Sequence, residues 1–212
     1  MVSAMFSCVQ RRQERALSLA SLAAVGVTPI VVESPCSPPC HQENRRVGVE
    51  ALSLAAGDDV LLFEDDVRAN EHFPRFLGMA RERDVPVTFC LLRDRCLSVN
   101  ARHRVRKARG KLPAQLEAVD VTKWYGTQAV YLPRRVVDRV LADPHTHAMR
   151  NGRWDGFDFL VKDVLLDTRE PLFVALPNPV QHTAPPSVVP GKPGQAQSFT
   201  YHMQPVWKVS DV

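Results

Sequence analysis

The stretch Val60-Leu61-Leu62-Phe63-Glu64-Asp65-Asp66-Val67 places three consecutive acids directly behind a short apolar run. An apolar run of this length, preceded by the turn signal Gly57-Asp58-Asp59, predicts a buried strand. The three carboxylates then lie at the carboxyl end of that strand, the edge of a parallel sheet where ligands bind. Oxygen ligands suit Mg²⁺ or Mn²⁺, which bind through one or two carboxylates together with the phosphates of a substrate.

The chain before the acidic run alternates between strand and helix patterns. Strands are predicted at residues 4–9, 27–32 and 60–63, and helices at residues 12–24 and 41–56. This alternation is typical of a Rossmann-type, mostly parallel sheet flanked by helices. A chain of 212 residues can form one sizeable core. We therefore predict a single-domain α/β fold.

The second half continues with mixed elements. Helices are predicted at residues 71–83, 133–141 and 157–166, and strands at residues 85–92, 125–132 and 171–176. The residues from 177 onward are rich in proline, which predicts an extended C-terminal tail.

The basic residues are concentrated in one segment. The formal net charge of the chain is +4, yet residues 93–111 contain eight basic residues and one acid. Because this segment has little apolar periodicity, we predict a basic loop or flap at residues 93–113. Such a stretch favours phosphate-rich partners. The predicted nucleic-acid contacts are Arg102, Arg104, Arg106, Lys107, Arg109 and Lys111.

Composition also bears on location. The five cysteines are odd in number and scattered, which fits reduced thiols better than a disulfide framework. No apolar run approaches the roughly 18 residues of a membrane span, and the first residues lack the pattern of a signal peptide. We expect a cytoplasmic protein without stable membrane insertion.

Several segments, in this order, resemble a known family. They are Arg11-Arg12-Gln13-Glu14-Arg15, Leu61 to Val67, Tyr125 to Leu132, Phe157-Asp158-Phe159-Leu160 and Gln181-His182. Together they are similar to the GT-A-fold nucleotide-sugar glycosyltransferases, most closely to the family that includes lipooligosaccharide and collagen galactosyltransferases. The resemblance implies a GT-A-like fold and the transfer of a sugar from a nucleotide-sugar donor to a hydroxyl group.

The resemblance also implies a metal site. In the family, the acidic triplet binds a divalent ion that stabilises the leaving nucleoside diphosphate as a Lewis acid. By position, Asp66 would bind the metal directly, and Glu64 or Asp65 would contact the ribose and reach the metal through water. His182 lies where similar enzymes supply a third ligand. The implied cofactors are Mn²⁺ or Mg²⁺ and a nucleotide sugar, with a UDP-sugar as the favoured donor.

The implied reaction also needs a general base and residues that bind the diphosphate. The general base must accept a proton from the acceptor hydroxyl, and Asp155 and Asp158 stand near the start of a predicted helix, with Asp158 matching the family's pattern better. A carboxylate base favours an inverting reaction. The diphosphate needs cationic or polar contacts near the starts of the first two helices. The residues predicted for this role are Arg12, Arg15, Asn44 and Arg45.

The basic segment bears on the acceptor. We assign residues 1–92 to donor binding, residues 93–113 to the flap and residues 114–212 to acceptor binding. Similar folds in bacteriophages glycosylate hydroxymethylated pyrimidines, so a DNA base is the leading acceptor, in the host cytoplasm if the chain is phage-encoded. A lipopolysaccharide or other saccharide acceptor is the alternative. A metal-dependent nuclease and a non-catalytic nucleic-acid-binding protein are also open.

Overall fold

The computed structural model describes residues 1–8, 11–35, 41–92, 94–148, 155–183, 200–201 and 203–206. Within these residues the chain forms both strands and helices. The strands are β1 (Val2–Cys8), β2 (Ile30–Ser34), β3 (Val60–Glu64), β4 (Val67–Ala69), β5 (Val87–Thr88), β6 (Lys111–Pro113), β7 (Gln115–Val119), β8 (Ala129–Leu132), β9 (Leu172–Leu176), β10 (Val180–His182) and β11 (Gln204–Val206). The helices are α1 (Arg12–Ala23), α2 (His41–Ser53), α3 (Phe73–Arg83), α4 (Val99–Lys107), α5 (Arg134–Ala142) and α6 (Phe157–Asp167).

Seven strands form the central sheet in the order β2-β1-β3-β8-β5-β9-β7. Five of them run in one direction, and β8 and β7 run antiparallel to their neighbours. The prediction of a mostly parallel α/β sheet is confirmed. Because β1, β2 and β3 are parallel, their carboxyl ends meet at one edge. The acidic triplet is therefore next to the start of α1.

The core lies on both faces of the sheet. Along β3, Val60 and Leu62 belong to one buried cluster, and Leu61 and Phe63 belong to the other. This alternation follows from the two-residue period of a strand. The first cluster is covered by α2, α4, α5 and α6, and the second by α1 and α3. Because β3 is buried on both faces, its sequence is continuously apolar.

Several predicted elements are shorter in the structure. The apolar residues 85–92 form a strand only at Val87–Thr88, although Phe89 to Leu92 are buried. Phe89 still donates its N–H to Ala129 and accepts a hydrogen bond from Val180, so its backbone is satisfied outside a regular strand. An apolar run indicates burial, and it does not distinguish a strand from a buried irregular segment.

The loop predicted at residues 93–113 is wrong over much of its length, because α4 occupies Val99–Lys107. Ser98 caps this helix by accepting a hydrogen bond from the backbone N–H of Ala101 at 3.1 Å. Ala101 and Val105, four residues apart, face the core. Two buried residues among many charges make a weak periodic signal, which explains the error.

Within the described residues, no helix combines the length and apolar character needed to span a bilayer. Most of the predicted C-terminal tail, including residues 184–199 and 207–212, lies outside the described residues. The assignment of donor and acceptor halves remains a prediction.

Candidate metal and phosphate site

Three potential metal ligands converge at the carboxyl edge of the sheet. Glu64 ends β3, and Asp66 follows in the turn that leads to β4. Strand β10 pairs with β4 so that His182 is opposite Val67, which brings His182 beside Asp66. The ligand atoms of Glu64, Asp66 and His182 all lie within 4.8 Å of one another. The sequence-predicted trio is therefore assembled from two distant parts of the chain.

The chemistry of this trio fits a divalent cation. Asp66 is buried, and its Oδ1 has no hydrogen-bond partner among the described residues. A buried carboxylate oxygen without a partner is costly unless a cation or donor satisfies it. Two carboxylates and one imidazole form a mixed oxygen and nitrogen set, which suits Mn²⁺ better than the harder Mg²⁺. These residues can therefore hold the implied ion.

Burial shifts the protonation of two ligands. The pKa of Glu64 is raised to about 7, first by burial and further by the negative charges of Asp158 and Asp65, while His182 opposes the rise. Burial lowers the pKa of His182 from its ordinary value, against the pull of Glu64. His182 is consequently favoured in its neutral form, the form that binds metals. Glu64 must lose a proton to do so.

Side chains from the segment just before β8 complete the surroundings of Glu64. Thr127 Oγ1 and Gln128 Nε2 lie 3.3 and 3.4 Å from Glu64 Oε1 and donate to it. Gly126 has a φ of +99°, and a Cβ there would stand 2.3 Å from the Gln128 side chain. A glycine is therefore required at position 126 for the Gln128 side chain to lie this close to the backbone.

Arginines from the start of α1 reach the acids. Arg11 contacts Asp66 Oδ2 and lies 3.4 Å from Asp65 Oδ1. Asp65 also accepts a 2.8 Å hydrogen bond from the hydroxyl of Ser7 on β1. Arg15 donates to the same hydroxyl at 3.0 Å and pairs with Glu33. Arg15 thus lies near the acids, and its contact with a diphosphate stays a prediction.

The other residues predicted to bind the diphosphate lie in different surroundings. Arg12 is exposed at the start of α1. Arg45 is 1% exposed and donates to the backbone carbonyls of Asp155 and His145 at 2.9 and 2.8 Å. An arginine held in this way supports the chain, and its predicted phosphate contact stays a prediction. Asn44 Oδ1 accepts the N–H of Phe157 at 3.0 Å, a structural contact as well.

These contacts of α2 place the candidate bases. Asn44 and Arg45 hold the segment that leads into α6, where Asp158 lies in the first turn. Asp158 is close enough to Glu64 for its charge to raise the pKa of Glu64. Asp155 is half-buried before the helix, and its carbonyl accepts the bond from Arg45. Asp158 therefore lies within electrostatic range of Glu64, and its role as general base stays a prediction.

The basic residues lie elsewhere. Helix α4 is connected through β6 to β7, which is four strands from β3 in the sheet. At about 4.8 Å a strand, this corresponds to roughly 19 Å. Arg104 pairs with Glu117 at 2.6 Å and Arg106 with Asp94 at 2.7 Å, whereas Arg102 is partly buried. The exposed members are Lys107, Arg109 and Lys111, in addition to the paired Arg104 and Arg106.

Sequence reasoning missed Arg11, Ser7, Thr127 and Gln128. Ser7 lies near the end of β1, and Thr127 and Gln128 lie just before β8, so all three occur where strands reach the edge that carries the triplet. A polar residue at this edge of the sheet can therefore be recognised from the sequence as a candidate site residue. Arg11 immediately precedes α1, one position from the predicted Arg12. The direction of each side chain there depends on where α1 begins.

No protein-family model matches the chain, and no curated protein matches it. Among solved structures, A197 from STIV is 10% identical, with a TM-score of 0.46 over 86% of this chain and 85% of that one. A glycosyltransferase involved in the glycosylation of the major capsid of PBCV-1 is 13% identical, with a TM-score of 0.47 over 82% of each chain. Neither likeness identifies what this chain binds or does.

Proposed function

We propose that this chain is a metal-dependent glycosyltransferase that uses a nucleotide-sugar donor. The observation that carries the proposal is the cluster of Glu64, Asp66 and His182, in which a buried Asp66 oxygen has no hydrogen-bond partner in the described part of the chain. Arginines beside a divalent-cation site favour a ligand that contains phosphate. A divalent cation held there would stabilise the negative charge on a departing diphosphate as a Lewis acid.

The surrounding side chains support the remaining roles. Arg11 and Arg15 lie beside the acids, where they would bind and orient the diphosphate. Asp158 would accept the proton of the acceptor hydroxyl as its oxygen bonds to the anomeric carbon. The bond from that carbon to the phosphate oxygen breaks in the same step, and the diphosphate leaves with the electron pair. This gives inversion at the anomeric carbon.

For the acceptor, we propose a hydroxyl on a polyanion, with hydroxymethylated pyrimidine DNA as the first choice. Lys107, Arg109 and Lys111 are exposed, and β6 leads into the end of β7 that lies at the carboxyl edge of β9. Basic residues joined to β7, a strand roughly 19 Å from β3, would contact phosphates away from the reacting base. An anionic saccharide such as lipopolysaccharide would use the same charges.

The test is to incubate the purified chain with Mn²⁺ and a panel of nucleotide sugars, UDP-sugars first. Hydroxymethylated DNA and lipopolysaccharide oligosaccharide serve as separate acceptors. We expect nucleotide release that depends on Mn²⁺ and an added hexose mass on one acceptor. Absence of release and of metal-dependent nucleotide binding with every donor would reject the transferase. Cleavage of DNA without any donor would favour a nuclease instead.

A further inference from the structure

Arg11 lies against one of the carboxylates that would hold a cation. One of its terminal nitrogens contacts Asp66 and lies 3.4 Å from Asp65 Oδ1. Asp66 is 0% exposed and Asp65 is 5% exposed, so water does little to compensate their charges. Arg11 is therefore the internal counterion of these two acids.

Both partners of this ion pair retain an unused polar atom. Asp66 Oδ1 and Arg11 Nε are buried, and neither has a hydrogen-bond partner among the described residues. Unsatisfied buried donors and acceptors cost free energy, so a ligand that satisfies both atoms gains that free energy on binding. The ligand that satisfies both must offer a positive group to Asp66 and an acceptor to Arg11. A divalent cation chelated by phosphate offers both.

The start of α1 gives an independent reason for phosphate. Arg11 is the N-cap residue of this twelve-residue helix, and no described side chain caps it. The first N–H groups of a helix and its dipole attract anions. A guanidinium also binds phosphate through two parallel hydrogen bonds. A phosphate at this position would be within reach of both features.

We propose that Arg11 exchanges partners when the ligand binds. In the ligand-free chain it neutralises Asp65 and Asp66; with the cation on Asp66, its guanidinium moves to the phosphate. The proposal rests on the proposed function, in which the phosphate belongs to the donor. It makes cation and diphosphate binding interdependent, because a cation alone must displace Arg11 and the diphosphate gives Arg11 a new partner.

The test compares wild type with Arg11→Met by calorimetric titration of Mn²⁺, first alone and then with UDP. Removal of the competing charge should tighten the binding of Mn²⁺ alone by about ten-fold or more. The same variant should bind UDP in saturating Mn²⁺ about ten-fold more weakly. Arg135→Met is the matched control, because Arg135 also pairs with two acids, Asp84 and Glu170, at the opposite edge of the sheet. It should change neither affinity.

Unchanged affinity of Arg11→Met for Mn²⁺ alone would overturn the exchange, as would wild-type affinity for UDP in Mn²⁺. The titration of Mn²⁺ alone contains no nucleotide, so its outcome does not depend on the donor. Failure of the proposed function has a different signature, in which Arg11→Met binds Mn²⁺ more tightly but neither chain binds a nucleoside diphosphate.

A measurement on the wild type covers the case in which Arg11→Met fails to fold. The Nε–Hε resonance of Arg11, assigned by its loss in Arg11→Lys, can be followed by NMR with diamagnetic Mg²⁺. We expect one shift on adding Mg²⁺ and a second shift on adding UDP. A resonance that ignores both additions would contradict the exchange.

Discussion

His182 Nε2 lies 3.2 Å from Asp66 Oδ2, and both side chains are buried. The two residues come from different parts of the chain and meet because β10 pairs with β4. The backbone strengthens this approach, since Thr183 donates its N–H to the carbonyl of Asp66 at 2.9 Å. A histidine with a lowered pKa against a buried acid is arranged to share a cation with it.

Asp66→Asn should abolish this sharing. The substitution keeps the size of the side chain and removes the charge that attracts a cation, so Mn²⁺ affinity should fall by about 100-fold or more. Calorimetry measures the change. Asp138→Asn is the control, because Asp138 is an exposed acid that pairs with Arg134 on α5. Equal losses in both variants, or none in Asp66→Asn, would show that Asp66 does not bind the ion.

The pH dependence of metal binding should follow Glu64. Because the pKa of Glu64 is raised to about 7, protons compete with the metal below that pH. We expect Mn²⁺ affinity to rise as the pH increases from 6 to 8, by up to about ten-fold a unit where Glu64 is protonated. Glu64→Gln should bind more weakly and with a flatter profile. If Mn²⁺ affinity depended on pH equally in wild type and in Glu64→Gln, a group other than Glu64 would be responsible for the dependence.

The raised pKa of Glu64 also affects the stability of the metal-free fold. Stability should fall with rising pH, whereas metal affinity should rise. The folded-state pKa of Glu64 lies above its ordinary value of 4.5, so the folded chain binds more protons than the unfolded chain between about 4.5 and 7. Glu64 therefore makes the free energy of unfolding decrease as the pH rises through this window. Chemical denaturation should show wild type losing stability relative to Glu64→Gln over that interval. A relative gain would contradict the raised pKa.

Gly156→Ala tests how Asp158 is positioned. A Cβ at Gly156 would stand 2.6 Å from Asp158 Oδ1 and 3.3 Å from Asn44 Oδ1, so Asp158 must move. We expect loss of sugar transfer with Mn²⁺ and donor binding retained, the same result as Asp158→Asn. Gly78→Ala on α3 is the control, since its Cβ meets nothing within 4 Å and should stabilise the helix by about 0.5–1 kcal/mol. Full transfer by Gly156→Ala and Asp158→Asn would remove Asp158 from the mechanism.

The basic segment predicts a measurable salt dependence. Arg104 and Arg106 already pair with acids, so Lys107, Arg109 and Lys111 should contribute most to DNA binding. Replacing these three with Gln should weaken binding and reduce the slope of log affinity against log salt by up to about 2.7. Replacing Arg104 and Arg106 with Gln should reduce the salt slope less. An unreduced slope in the triple variant would separate this segment from nucleic acid.

Sequence patterns predicted what is local. The strand before Glu64 and the acids at its end follow from composition, because the apolar run has a clear limit. Helix α4 was missed because charges outnumber Ala101 and Val105, the two residues that face the core. For Arg45, a position near the start of α2 suggested phosphate, and only tertiary structure shows the carbonyls that surround it. The periodicity of a segment does not indicate which distant residues pack against it.

The partnership of Asp66 with His182 was not visible in any local pattern. Order along the chain and the family resemblance suggested it, and the pairing of β4 with β10 supplies the geometry. Arg11 was missed for a related reason. Its distance to Asp65 and Asp66 depends on where α1 begins relative to β3, which is a property of the assembled sheet.

The central claim is that Glu64, Asp66 and His182 hold the divalent cation of a sugar-nucleotide site. Pulsed electron paramagnetic resonance of Mn²⁺ bound with UDP tests it directly, because it detects the nitrogen of a coordinating imidazole. We predict a nitrogen coupling in the wild type that disappears in His182→Gln, with His72→Gln as a control that leaves it unchanged. Bound Mn²⁺ without a nitrogen coupling, or a coupling that persists in His182→Gln, would contradict the assignment.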